Sequence, residues 1–371
     1  MADQEGRGIR CTPTRWRLIA SGVLLAACPL LVLLFERFGE ALSGGYRPFS
    51  KGLLSLQATV ASVAPFALWD FLVVGFALAA LFTLVRRVVR RRPLLPWLSV
   101  VLLVSSATLF LFVSGWALNH YAPSLANEIG LEVGAYTDDE LAAATRHYLE
   151  RAAALAPSVP RGEDGELLRQ DFYELARIAG GSYRELSESY GIFEGSQAPV
   201  KALLLLGEPL LLSGHVGIFF SPTGESSVPV NCAVADLPFT MCHEAAHRLA
   251  IAREQEANFA AFLACTTSDD VRFSYSGYYS AFSFCYGALR RSDPDRAARL
   301  LDEVRTSGLD AGVGLVLADL VATGRHYDAY EGWFGRVGSA VNDGYLRSFG
   351  EREGVKSYGL VVDYLIAWDR R

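Results

Sequence analysis

The sequence predicts a mainly α-helical membrane protein, with three N-terminal transmembrane helices and then a helical domain. A small β element is expected just before a helix that bears two histidines. Three observations carry that expectation. Apolar residues gather in runs at 16–35, 66–85 and 94–116. From 117 onward the chain is mixed and amphipathic. Within that second part stands His243-Glu244-Ala245-Ala246-His247, two histidines four apart around a glutamate.

Each run is about as long as a helix needs to cross a ~30 Å hydrocarbon layer. Asp70 is the only acidic residue in the three. It sits near the end of its run, where water is expected within reach. Arg7, Arg10, Arg15 and Arg17 cluster at the start of the first run, and Arg86, Arg87, Arg90, Arg91 and Arg92 crowd the link between the second and third. Basic loops stay cytoplasmic. The N-terminus and the arginine link are therefore expected inside, and the 36–65 loop and everything after 116 outside. Residues 1–116 read as a membrane anchor in the bilayer, and 117–371 as an extracytoplasmic domain. "LAAC", 25–28, has the form of a lipoprotein cleavage box. The apolar stretch runs on through "PLLVLLF", so a retained helix is favoured over a cleaved, lipidated one.

The outer part holds 22 basic and 35 acidic residues, a net charge of −13. That field argues against nucleic acid or anionic lipid as its partner. Cys232, Cys242, Cys265 and Cys285 also lie there, where disulfides persist. Three pairings are open to them, as is a set of free buried thiols.

Thr137 and Glu140 have capping-box spacing and open a helix over 137–156. "PSVPRGEDG" is a loop. Helices are expected at about 165–179 and 183–190, the first stopped by Gly180-Gly181. Residues 200–212 are apolar and of undecided type, broken by Pro209. "HVGIFF", 215–220, is β-branched and aromatic and reads as a strand. The "SPTGESSVPVN" after it reads as loop or short edge strand. Pro238 opens the histidine helix. Further helices are expected at 253–266, 270–290, 294–307, 311–323, 327–348 and 355–369, with Asp293-Pro294 a cap and first-turn pair.

On a helix, residues i and i+4 share a face. His243 and His247 could therefore bind one Zn²⁺ while Glu244, at the rim, takes a proton from water activated at the metal. The competing reading is two histidines satisfied by ordinary hydrogen bonds. A catalytic zinc wants a third protein ligand. On one unbroken helix Glu254 would lie ~10 Å beyond His247, too far to share the ion. The site thus demands a sharp turn within 248–253. An alanine at 250 in a left-handed conformation would cost ~1 kcal/mol or more, where glycine would not. A second helix would then carry Glu254 as the third ligand and Asn258 on the same face, orienting a histidine. Glu256 would point elsewhere and pair with Arg253 or Arg248.

"HEAAH" followed by "EQEANFAAFLAC" resembles the gluzincin zinc peptidases. In these the third ligand is the first Glu of an E-x-x-A-D/N helix, a pattern that falls on Glu254-Gln255-Glu256-Ala257-Asn258. The gap between the two motifs is shorter here, and Asn258 stands where many have Asp. Nearly the whole chain is similar to a family of bacterial membrane proteins, domain of unknown function 3810. The likeness runs through "WALNHYAP", "GIFFSPTGE", "LPFTMCHEAAH", "REQEANFAAFLA", "RFSYSGYYSAF" and "GVKSYGLVVDYLIAW". It implies an extracytoplasmic, zincin-like peptidase domain without indicating a substrate.

Glu225 and Asn231 flank the expected edge strand, where an extended substrate would pair. Tyr275 is the candidate for stabilising an oxyanion. His215 and His326 read as structural, and Lys201 has no evident role. The expected function is a membrane-anchored zinc metallopeptidase acting on an extracytoplasmic peptide or protein. The alternative is a non-catalytic interaction or sensing module, which would have no need of Glu244.

Overall fold

The computed structural model describes residues 12–349 and 360–371. Arg7, Arg10, Cys11 and the start of the helix expected at 355–369 lie outside the described residues.

The chain is mainly helical with one small sheet. Helix α1, Pro13–Ala61, is capped by Thr12 and carries proline in its first turn. It continues well past 35, so the expected outer loop at 36–65 is instead helical to Ala61. The apolar run stops at Glu36, but a polar residue does not end a helix. This helix is bent. The rings of Phe35 and Tyr46 lie 4.9 Å apart, whereas eleven residues of straight helix would separate them by ~16 Å. Gly44, Gly45 and Pro48 occupy the bend, and Pro48 cannot donate to the carbonyl of Gly44.

Helix α2 spans Leu68–Val89 and α3 Leu95–Gly115. Helix α1 packs on α3. Each has a buried stripe spaced by seven residues: Ser21, Cys28 and Phe35 on α1, Ser99, Ser106 and Val113 on α3. Small residues at such positions let helix backbones approach closely.

Four short or medium helices follow: α4 Leu125–Ile129, α5 Asp138–Leu155, α6 Phe172–Gly181 and α7 Arg184–Ser189. Helix α5 has the Thr137–Glu140 capping box. Helix α6 starts later than the expected 165 because the Asp171 side chain caps it at the Glu174 N–H.

The undecided 200–212 segment divides into strand β1, Lys201–Leu203, and helix α8, Gly207–Leu212, with Pro209 near its start. Strands β2, Ile218–Phe220, and β3, Glu225–Pro229, complete a sheet of order β1-β3-β2, with β1 parallel and β2 antiparallel to β3. The expected edge strand at 221–231 is therefore the central strand.

The remaining helices are α9 Leu237–Arg248, α10 Glu254–Thr266, α11 Val271–Ser292, α12 Pro294–Val304, α13 Asp310–Asp328, α14 Trp333–Ser348 and α15 Val361–Asp369. The break expected before 327 falls after Asp328 instead.

Among the described residues, four helical stretches are long and apolar enough to cross a membrane: 13–61, 68–89, 95–121 and 294–328. The fourth differs in kind. It turns at Gly308 (φ +98°), and α13 packs on α5. There Asp319 is buried and takes two bonds from the Arg161 guanidinium, at 2.9 and 2.7 Å.

Three buried charges tie the α1–α2 turn to the sheet. Asp70 is not near water, as expected, but fully buried. Its carboxylate accepts from the N–H groups of Leu204, Leu205 and Leu206 at 2.9, 2.8 and 3.0 Å, bonds to a charged group worth ~1.5–3 kcal/mol each. Lys201, which had no evident role, donates to the carbonyls of Ala61 and Ala64 at the end of α1. Glu225 accepts from the Leu68 and Trp69 N–H groups at the start of α2, 2.8 and 3.1 Å away. A core cluster then joins the first and third helices to the chain after residue 116, uniting Cys28, Phe35, Val113 and Trp116 with Phe219 and Ala252. Cys232, Cys242, Cys265 and Cys285 are buried free thiols.

Candidate metal centre

Helix α9 begins with Pro238 in its first turn and presents His243 and His247 on one face. Their Nε2 atoms are 3.1 Å apart. The helix stops after Arg248 in a left-handed turn. Ala250 has φ +64°, its N–H bonds the carbonyl of His247, and the Ile251 N–H reaches back to Ala246. That pair of bonds is a Schellman cap, which ordinarily places glycine at the left-handed position. The turn demanded by the spacing is therefore present, and alanine carries its strain. Ala250→Gly is expected to raise stability by ~0.5–1 kcal/mol, read as a higher denaturation midpoint.

The turn also does chemical work. The Ile251 carbonyl lies 2.8 Å from Nδ1 of His247, and Asn258 Oδ1 lies 2.8 Å from Nδ1 of His243. With a proton on each Nδ1, both Nε2 lone pairs point into the same space. Helix α10 starts after Arg253, whose guanidinium binds the carbonyls of His120 and Ala122 and the Glu256 carboxylate. Glu256 thus pairs with Arg253. Glu254, in the first turn of α10, brings Oε2 to 3.2 Å from Nε2 of His243 and 3.7 Å from Nε2 of His247.

These three spacings have the right size for a metal. Ligands on a tetrahedral ion at ~2.0–2.1 Å stand ~3.3 Å apart. Two imidazole lone pairs and a carboxylate oxygen also form a donor set suited to Zn²⁺. Without a cation, a proton must take its place. Burial disfavours charge on His247, but the adjacent Glu254 carboxylate outweighs it and raises the imidazole to about 9. Burial likewise opposes the Glu254 charge, yet the two histidines hold that carboxyl far below its usual range.

Glu244 lies beside the cluster and is buried. Burial pushes its carboxyl up to about 7 against the pull of both histidines. Its Oε2 is buried without a hydrogen-bond partner. The carboxylate rests against Gly217, where an added Cβ would stand 2.3 Å from Oε1. Sequence reasoning missed Gly217, although a glycine leading into a strand is a known sign of close approach. Trp116, also missed, donates its indole N–H to the His247 carbonyl at 2.8 Å.

Other candidates lie elsewhere. Tyr275 is buried on α11 and gives its hydroxyl to Asp319, so it is not brought to the cluster. Glu225 caps α2 from the central strand and offers no edge. Asn231 follows β3 and bonds Glu208 and Tyr330. The outer edge of β2 pairs with no strand among the described residues. Just ahead of it, His215 is held through Nδ1 by the Ser213 hydroxyl at 2.9 Å. Burial lowers its pKa, and the Glu254 charge partly counters this.

No curated protein matches the chain, and no solved structure does. A family model described as protein of unknown function (DUF3810) matches residues 46–366. That stretch holds the sheet, α9, the left-handed turn and α10, and the chain is a member of the DUF3810 family.

Proposed function

We propose that this protein is a membrane-anchored zinc peptidase, with three N-terminal spans, a cytoplasmic N-terminus and an extracytoplasmic zincin-like domain. Its substrate is a peptide or protein on that side of the membrane. One observation carries the reading: three donor atoms converge at tetrahedral spacing beside a buried carboxyl with an unpartnered oxygen. His243, His247 and Glu254 would hold Zn²⁺, with Asn258 and the Ile251 carbonyl fixing the two rings. The ion would supply Lewis acidity, bringing the pKa of a water molecule down to ~7.

The chain's own residues do the rest. Glu244 accepts the proton of the attacking water at Oε2 and returns it to the leaving amine, a task suited to a carboxyl near neutrality. The open edge of β2 lines up an extended substrate by backbone pairing. The oxyanion role expected of Tyr275 passes to His215, which is anchored through Nδ1 by Ser213 and lies near enough to Glu254 to feel its charge. A non-catalytic module would leave the unpartnered Glu244 carboxyl without a purpose.

Purified, zinc-loaded chain should cleave unstructured peptides and lose that activity to a chelator, recovering it with added zinc. Chelator-resistant turnover, or none with metal present, would reject the proposal. Gly217→Ala should keep its zinc while kcat falls by at least ~10-fold, because the new methyl displaces the Glu244 carboxylate. Metal analysis beside peptide kinetics separates the two effects.

A further inference from the structure

Beyond the bend, α1 presents three distinct sides. At ~100° per residue, Phe49, Leu53, Leu56 and Val60 fall within one narrow stripe. Phe49, Leu56 and Val60 are 59%, 63% and 65% exposed. Ser50, Leu54, Ala58 and Ala61 lie on another side and are buried. Gln57, on that buried side, donates to the Pro222 carbonyl. Small and polar residues, Gly52, Ser55, Thr59 and Ser62, fill the third. Leu53 is half-buried against Gly115 at the end of α3, and no described element covers Phe49, Leu56 and Val60.

Its neighbours in the chain say what does. One end continues from the apolar first half of α1, and the other reaches α2 through residues 62–67, a linker of at most ~20 Å. The Asp70 carboxylate at the start of α2 holds the backbone of Leu204 and Leu205, whose side chains are also exposed. The stripe and these leucines thus belong to the same level, that of the outer ends of α2 and α3.

We infer that residues 46–63 form an interfacial helix, with Phe49, Leu56, Val60, Leu204 and Leu205 seated in the bilayer surface. Amphipathic helices of this kind sink their apolar face ~5–10 Å into the headgroup boundary. The donor cluster lies one indole away from the end of α3, through the Trp116–His247 bond, and so sits just above the lipid headgroups. Resting on the proposed peptidase activity, this assigns the substrate class as polypeptides tethered to the same membrane, cut close to their anchor.

The test uses full-length chain with Cys11→Ser in phosphatidylcholine vesicles, the other five cysteines being buried. Spin labels are placed at Leu56→Cys, Val60→Cys and Leu204→Cys, with Glu188→Cys as an exposed control on α7. The first three should collide with oxygen in preference to a water-soluble nickel chelate, and the control should do the reverse. Nickel-favoured collisions at 56 and 60 would overturn the interfacial helix. So would dipolar broadening relieved by unlabelled chain, which would place a second copy on the stripe.

One peptide is then offered free and lipid-linked in the same vesicles. A rate gain of at least ~10-fold for the linked form is expected from its raised local concentration, and equal rates would overturn the substrate assignment. Cleavage of neither peptide would reject the catalytic reading and the substrate assignment with it. The collision measurement decides the interfacial helix independently.

Discussion

Chain purified with His247→Ala should contain no tightly held zinc where the wild type carries about one ion per chain. Two donors remain, His243 and Glu254, 3.2 Å apart, and two are too few for a stable site. Affinity should fall by more than the ~10–100-fold typical of losing an outer hydrogen bond to a ligand. The wild type should also bind zinc in competition with protons. With His247 raised to about 9 by its carboxylate neighbour, the ion must displace one proton at neutral pH. Apparent affinity should therefore drop about tenfold for each pH unit of acidification below 9. Titration against a chelating dye at several pH values reads this slope, and elemental analysis reads the stoichiometry. Equal zinc in variant and wild type would remove the site.

Glu244→Gln should keep the metal and lose the reaction. The amide has nearly the shape of the carboxyl, so its packing against Gly217 survives. It cannot accept the proton of water, and the loss of a general base costs about 10²–10⁴-fold in kcat. Zinc content near that of wild type, with turnover reduced to this extent, would separate chemistry from binding. Unchanged turnover would favour the interaction-module reading. In the wild type, kcat/KM should climb on the acidic side as the Glu244 carboxyl gives up its proton and becomes competent as a base. Burial raises that carboxyl to about 7 in the metal-free chain, and a bound dication would draw the inflection below that value.

The site was legible in the sequence where its logic is local. His243 and His247 follow from helical periodicity, and Glu254 and Asn258 from the same rule applied to a second helix. The turn between them was legible only as a necessity. Its backbone signal is absent because alanine, not glycine, occupies the left-handed position at 250. What could not be read was long-range pairing. Glu225 looks like an edge residue until the start of α2, some 157 positions away in the chain, is seen to need a cap. Tyr275 looks free until Asp319 claims its hydroxyl. Asp70 and Lys201 showed only as oddities, since their partners are backbone groups that no sequence pattern marks. The second half of α1 was taken for loop because hydropathy reports where an apolar run ends, not where a helix does.

The cluster that joins Cys28, Phe35, Val113 and Trp116 to Phe219 and Ala252 has a consequence for how such a molecule could be set loose. A cut near residue 120 would strip away the indole that holds the His247 carbonyl and bare an oily seam to water. On the proposed reading shedding would act as an off-switch, and a truncated fragment would be a poor stand-in for the intact protein at the bench.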